Sequence, residues 1–228
     1  GYQLIDPQFL LKLPTNIPQD HLLMAQQLGT VVFGCKKLPP LIGKTVAIIG
    51  QGSVGLFHDF MLRKLGVHRI IAIEPIAERR SAGNNMGVDE MIDVTGSKGT
   101  EAVLDLTGGE GADLVIEAVG SIDTLNQTIK LVKQFGRIAA FGLPPTMDMV
   151  PFDWDSFFRK CATMHSVFGA QDVPGLPEFK LAVEYIANSE IDMAPFVTHQ
   201  YPIWQVQEAF DLADSKDDGA LKVSMTFD

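Results

Sequence analysis

The chain has 228 residues, 46% of them hydrophobic and 20% charged, with a formal net charge of −10. That acidic balance argues against nucleic acid or an anionic membrane as partner, because both call for basic patches, and no apolar run approaches the roughly 20 residues of a membrane span. Two cysteines far apart in sequence, Cys35 and Cys161, form no disulfide framework and fit free thiols in a reducing cytoplasm.

In chain order, the first 29 residues do not read as a domain. Residues 9–14 (Phe9-Leu10-Leu11-Lys12-Leu13-Pro14) predict a short strand stopped by proline. A helix is expected over 21–28, with Asp20 as its cap, and a second over 30–37, ended by Pro39-Pro40. A loop over 41–44 then delivers the stretch around which the chain is organised, Thr45-Val46-Ala47-Ile48-Ile49-Gly50-Gln51-Gly52-Ser53-Val54-Gly55. An apolar run ends in glycines spaced G-x-G-x-x-G, and an amphipathic segment carrying Leu56, Phe57, Phe60, Met61 and Leu65 follows at once. This predicts a buried strand, a tight turn and a helix start. Gly50 permits the turn, Gly52 lets a pyrophosphate approach the backbone, and Gly55 allows close packing. The first-turn N–H groups, from Ser53 and Val54 onward, then face the phosphates.

The glycine spacing alone also fits a turn that binds nothing. The next run, Arg69-Ile70-Ile71-Ala72-Ile73-Glu74, adds context by ending in an acid 24 positions after Gly50. A dinucleotide-binding unit puts there the carboxylate that holds the adenosine ribose hydroxyls.

The alternation continues. A helix is expected from Pro75 to about residue 85, a strand over 89–93, a helix over 100–106 and a glycine-rich turn over 107–111. A fourth strand with its exit loop covers 112–120, and Ser121-Ile122-Asp123 caps a helix carrying Leu125, Ile129 and Leu131. A fifth strand is expected over 136–142 and a sixth over 163–169. Strands alternating with helices imply right-handed parallel crossovers. The predicted fold class is therefore α/β, a Rossmann doubly wound six-stranded parallel sheet of order 3-2-1-4-5-6, with its ligand at the switch point between strands 1 and 4. That crevice is bounded by residues 50–55, by Ala118 and Val119, and by Gly142 and Leu143. The tail breaks the rhythm: a helix over 177–188, an extended segment over 194–199, a helix over 204–213, a solvated turn over 215–219 and a last strand over 221–227.

Together these pieces resemble the medium-chain dehydrogenase/reductase superfamily, the alcohol and polyol dehydrogenase relatives. The carriers are the run from Gly43 to Gly55, Gly66-Val67-His68-Arg69-Ile70-Ile71-Ala72, Gly108-Gly109-Glu110-Gly111-Ala112-Asp113-Leu114-Val115-Ile116-Glu117, Gly136-Arg137-Ile138 to Gly142, and the tail with Ala209-Phe210 and Leu221-Lys222-Val223. The likeness runs from about residue 18 to 227. It implies a nucleotide-binding domain over 30–170, with remnants of a GroES-like catalytic domain at both ends, over 1–29 and 171–228. Only 44 residues precede the first sheet strand, and the chain opens on Gly1 rather than methionine. Most of the catalytic domain is thus expected to lie outside this sequence, in a longer protein, or else the chain is a natural half-length relative.

Zinc members of the superfamily use cysteine, histidine and a third cysteine or glutamate; counting back from Gly50, Gln26 takes the third place. A neutral amide is a poor zinc ligand. The histidines 21, 58, 68, 165 and 199 show no paired ligand spacing, and there is no C-x-x-C. No metal residue is assigned and no zinc is expected in this chain. No catalytic residue is assigned either: His58 reads as a packed or solvated helix residue, and His165 as a sixth-strand residue with a place facing the cleft but no assigned role.

The expected cofactor is NAD rather than NADP. Glu74 would accept from ribose hydroxyls but repel a 2′-phosphate by roughly 1–4 kcal/mol at about 4 Å. Arg79 reads as an adenine-stacking residue, a partner of Glu74 or a plain helix residue. Lys222 matches a superfamily position near the pyrophosphate, and an exposed strand lysine fits it equally. The expected function is NAD-dependent hydride transfer to or from a small alcohol or carbonyl substrate. A non-enzymatic NAD(P)-binding module and a remnant that binds nothing are the alternatives. The resemblance also implies a homodimer paired through the sixth strand, at residues 167–170, followed by Asp172 and Pro174.

Overall fold

The structure, a computed structural model, describes residues 4–146, 148–170, 173–215 and 217–227. Asp172, Lys216 and the opening Gly1-Tyr2-Gln3 of the sequence reading lie outside the described residues. Contacts divide the chain into two compact units: the chain up to Lys37 together with the chain from Phe168 onward, and Leu38–Val167.

The first unit begins with a 3-10 turn, Pro7–Phe9, where the Asp6 carboxylate accepts from the Gln8 N–H. The strand expected over 9–14 is not formed. A strand needs a ladder partner, no described segment pairs with these residues, and Pro14 has no N–H to offer. Two helices follow, α1 (Gln19–Leu23) and α2 (Ala25–Lys36), separated at Met24 rather than around Gly29. Gly29 is needed inside α2, because a Cβ there would overlap the Phe179 ring packed across it. Asp20 is not the cap: Pro18 holds that position, and the Asp20 carboxylate accepts from the His21 N–H at 2.9 Å within the first turn.

The second unit carries β1 (Thr45–Ile49), α3 (Ser53–Lys64), β2 (Arg69–Ile73), α4 (Ala77–Asn85), β3 (Glu90–Ile92), α5 (Gly96–Leu106), β4 (Ala112–Glu117), α6 (Ile122–Leu131), β5 (Val132–Ala140), α7 (Trp154–Arg159) and β6 (Thr163–Ser166). The sheet order is β3-β2-β1-β4-β5-β6, all parallel, as the sequence pattern implied. Successive side chains of a strand point to opposite faces, so the apolar runs feed two cores. Ala47, Ile49, Ile71, Ile73 and Val115 pack with Val103, Ile129 and Leu131 of α5 and α6. Val46, Ile48, Ile70, Ala72 and Leu114 pack on the other face with Leu62 of α3. Each such Val, Ile or Leu side chain contributes about 1.5–3 kcal/mol on burial.

Boundaries moved where local chemistry intervened. β5 begins at Val132, with a register irregularity between Ala112 and Leu114 and with Phe135 at φ 59. β6 stops at Ser166, short of Gly169. The six-residue α7, capped by the Asp153 carboxylate accepting from the Ser156 N–H, is too short to show helical periodicity and was not foreseen. At α6 the expected cap holds: Ser121 and Thr124 form a capping box.

The first unit resumes with α8 (Pro177–Ala187), β7 (Val197–Pro202), a 3-10 turn (Ile203–Gln205), α9 (Val206–Ser215) and β8 (Lys222–Thr226). Phe179 of α8 packs with Phe33 of α2, and Lys36 pairs with the buried Glu178 at 2.8 Å. β7 and β8 form a parallel pair. The extended segment lies three residues later than expected, because Asp192 accepts from the Ala194 N–H and holds a turn before it.

Candidate functional site

The second unit places its candidate residues at the carboxyl ends of β1, β2, β4 and β5, where an open parallel sheet with a topological switch takes a ligand. Between β1 and α3, Gly50 turns the chain at φ 95 and its N–H donates to the Ile73 carbonyl at 2.9 Å. Gly55 permits a close approach: a Cβ there would overlap the Gly50 carbonyl oxygen. Gly50 directly follows β1, so the helix start comes close to the end of the strand. Gly52 faces open space. Among the described residues, the atom nearest an added Cβ is Arg79 Nη1, at 3.9 Å. As N-cap of α3 it has no side chain to close the first turn, where Ser53 and Val54 follow. A helix start with no side-chain cap and open space above Gly52 fits a pyrophosphate.

Glu74, the residue after β2, is buried, and both carboxylate oxygens are engaged by main chain. Oε2 accepts from the Gln51 N–H at 2.8 Å and Oε1 from the Ile76 N–H at 2.9 Å. The acid assigned to the ribose is therefore joined to the glycine turn assigned to the phosphates. Each carboxylate oxygen keeps a lone pair for a further donor. Arg79, half-buried on α4, is the side chain nearest the space above Gly52, whereas Arg80 donates to the Glu74 and Pro75 carbonyls.

On the other side of the switch point, Val119 and Leu143 are exposed and Ala118 and Gly142 half-buried. Val119 leans over the turn, since a Cβ on Gly50 would sit 2.7 Å from its Cγ2. The structure thus brings Gly50, Gly52, Ser53, Val54, Gly55, Glu74, Arg79, Ala118, Val119, Gly142 and Leu143 to one end of one sheet. Lys222 belongs to the other unit, exposed at the first position of β8.

Three buried polar residues near the turn were not singled out from sequence. Glu117, at the end of β4, accepts three hydrogen bonds through Oε1. It is level with Ile73, one register position before Glu74. Gln51 and Asp59 lie inside the unit, fully buried. No hydrogen bond of normal geometry satisfies either Asp59 carboxyl oxygen among the described residues. Burial pushes its pKa well above 3.8, against the opposing pull of Gln51 and Arg63. The Gln51 amide fits against Gly83, where any Cβ would overlap its Oε1.

His58 is packed, as the helix position suggested. Its Nδ1 donates to the Val54 carbonyl at 2.9 Å, its ring meets Phe141 edge-on at 4.9 Å, and burial lowers its pKa to about 4. A neutral, enclosed imidazole is no proton carrier for the crevice. His165 is half-buried on β6. Among the described residues no group of three His, Cys, Asp or Glu side chains converges as metal donors. Gln26 is exposed on α2, with Nε2 directed to Thr30 Oγ1 at 3.5 Å. The donors described in this chain do not fit a zinc centre.

Comparison with known proteins agrees with this geometry. The model of the family described as zinc-binding dehydrogenase matches residues 53–188. An alcohol dehydrogenase of Cupriavidus necator is 28% identical over 217 residues, covering 95% of this chain and 58% of the relative. An L-threonine 3-dehydrogenase of Legionella pneumophila is 24% identical over 212 residues, covering 92% and 60%. Among solved structures, the alcohol dehydrogenase of Thermus sp. ATN1 superposes with a TM-score of 0.79 at 28% identity, over 93% of this chain and 60% of that one. The chain therefore spans about 60% of the length of these relatives. With the family match, the strand order and the glycine turn in agreement, the chain belongs to the zinc-binding dehydrogenase family and carries the nucleotide-binding portion of the medium-chain dehydrogenase/reductase superfamily.

Proposed function

We propose that this chain is the cofactor-holding part of an NAD-dependent oxidoreductase acting on a small alcohol- or carbonyl-type substrate. NAD, when bound, supplies the hydride acceptor at its nicotinamide ring. The chain's own residues bind and orient it. The first turn of α3 faces the pyrophosphate above Gly52, Glu74 accepts from the adenosine ribose hydroxyls, and Ala118, Val119, Gly142 and Leu143 line the second half of the crevice. In this reading residues 30–170 carry the nucleotide, and residues 1–29 with 171–228 belong to the catalytic side.

The observation that carries the reading is the buried carboxylate of Glu74, held by the Gln51 and Ile76 N–H groups. An anion fixed there favours hydroxyls over a 2′-phosphate, and so NAD over NADP. A neighbour from Sinorhizobium meliloti, 21% identical with a TM-score of 0.78, was solved with NADP, which makes the choice an experimental one. Calorimetric titration with NADH and with NADPH tests it. Tighter NADH binding supports the reading; tenfold tighter NADPH binding would reverse the cofactor assignment, and binding of neither would reject the reading whole.

Two further assignments belong to it. β6 is an edge strand paired only with β5 among the described residues, and we assign it as the pairing edge of a homodimer. A cytoplasmic setting accords with two free cysteines, Cys35 being buried with its thiol pKa pushed up to about 12.

A further inference from the structure

A doubly wound sheet binds a dinucleotide as two halves, one on each side of the switch point. In the first half an acid after β2, Glu74, ties its carboxylate to the glycine turn. The second half also has an acid at its strand end, one register position earlier, level with Ile73. Glu117 ends β4 and is 2% exposed. Its Oε1 accepts from the Val119 N–H at 2.9 Å, the Gly120 N–H at 2.9 Å and the Thr124 hydroxyl at 2.7 Å. Thr124 is also the inner member of the α6 capping box, so one oxygen joins the end of a strand, the loop after it and the start of the next helix.

The same residue governs the neighbouring loop. Its carbonyl accepts from the Phe141 and Gly142 N–H groups, both at 3.0 Å, as the chain leaves β5. Gly142 lies against the carboxylate so closely that a Cβ would overlap Glu117 Oε2 and the Gly120 nitrogen. Gly120 in turn lies against the Leu143 main chain. Val119 and Leu143, the two exposed apolar side chains of this half, are carried by loops whose shape depends on Glu117. A core aliphatic side chain could not replace it, because three donors would lose their acceptor.

We propose that Glu117 is a positioning residue for the nicotinamide half of the cofactor: it sets the loops over 118–120 and 141–143 against which that half rests, without touching the adenosine half. The proposal rests on the dinucleotide-binding reading above. Its signature is a separation of the two halves of the ligand, which a general loss of folding does not produce.

The test titrates the 228-residue chain with NADH and with ADP-ribose, which lacks the nicotinamide, in the wild type and in Glu117→Ala, Glu117→Gln and Thr124→Val. In the wild type NADH is expected to bind more tightly than ADP-ribose. Glu117→Ala should weaken NADH by about tenfold or more, from the unsatisfied N–H groups it leaves, and ADP-ribose by less than about twofold. Glu117→Gln keeps one acceptor oxygen for the loop and should recover most of the loss. Thr124→Val, which removes one donor and leaves the acid, covers the case in which the alanine variant does not fold, and should weaken NADH alone by a few-fold. Equal weakening of both ligands, or of neither, overturns the proposal. A wild type that binds both ligands equally overturns it while the dinucleotide reading stands. A wild type that binds neither rejects both.

Discussion

The Glu74 carboxylate accepts a hydrogen bond from the main-chain N–H of Gln51 at 2.8 Å, so the acid after β2 and the glycine turn after β1 form one unit. Glu74→Ala therefore has two expected effects. The Gln51 and Ile76 N–H groups lose a buried acceptor, at a cost of about 1–3 kcal/mol each, so the melting temperature falls. The anion that repels a 2′-phosphate is also gone, so the ratio of NADPH to NADH affinity should rise by about tenfold or more. Paired titrations of wild type and variant measure it; an unchanged ratio would remove Glu74 from cofactor choice.

Gly52 and Gly142 should respond to alanine in opposite ways. Gly52 adopts an ordinary extended backbone and, among the described residues, a Cβ there comes no closer than 3.9 Å to a neighbouring atom, so Gly52→Ala should melt within a degree or two of wild type. Its methyl enters the space assigned to the pyrophosphate, and NADH affinity should fall by about tenfold or more. Gly142→Ala places its methyl on the Gly120 nitrogen and the Glu117 carboxylate, so it should lose about 1–3 kcal/mol of stability even without ligand. Thermal melts with and without NADH separate the two.

Asp59 makes stability fall as pH rises. Its folded pKa lies well above 3.8, so above that value the unfolded chain releases a proton that the folded chain retains. This loss accumulates from about pH 4 up to the raised folded pKa and is constant beyond it. Asp59→Asn keeps the shape and removes the proton. Urea unfolding across this range should show the variant more stable than wild type at neutral pH, with the gap closing as the pH approaches 4. A gap independent of pH would count against a neutral, buried acid.

His58 acts in the opposite direction. Its folded pKa of about 4 lies below the ordinary value of 6.5, so its contribution is present above pH 6.5 and is lost as the pH falls toward 4. His58→Phe, of similar size and unable to titrate, should flatten the acid limb of the unfolding profile. The variant gives up the bond to the Val54 carbonyl, about 1 kcal/mol, at neutral pH.

The β6 edge offers a test of assembly. The Val167 N–H donates inward to the Ala140 carbonyl, so the N–H of the preceding residue, exposed Ser166, points away from β5. Ser166→Pro removes that outward donor and leaves the inner ladder intact. Light scattering should find a dimer for wild type and a monomer for the variant, with similar melts at low concentration. A monomeric wild type ends the assignment.

The doubly wound sheet was legible because a parallel strand buried on both faces must be apolar along its whole length, and helices between such strands permit only right-handed crossovers. Gly50, Gly52, Gly55 and Glu74 were legible for a related reason: their work is done by backbone shape and by a fixed place at a strand end. Residues 9–14 failed as a strand because a ladder needs a partner that local sequence does not reveal. Glu117 and Asp59 were not legible, since an acid in sequence shows neither its burial nor its donors. Only the folded chain decided that Glu117 gathers three donors while burial raises the pKa of Asp59 on α3. Hydrophobic period and glycine spacing are written residue by residue, whereas the protonation and partners of a buried acid depend on which distant groups tertiary packing brings within about 3 Å.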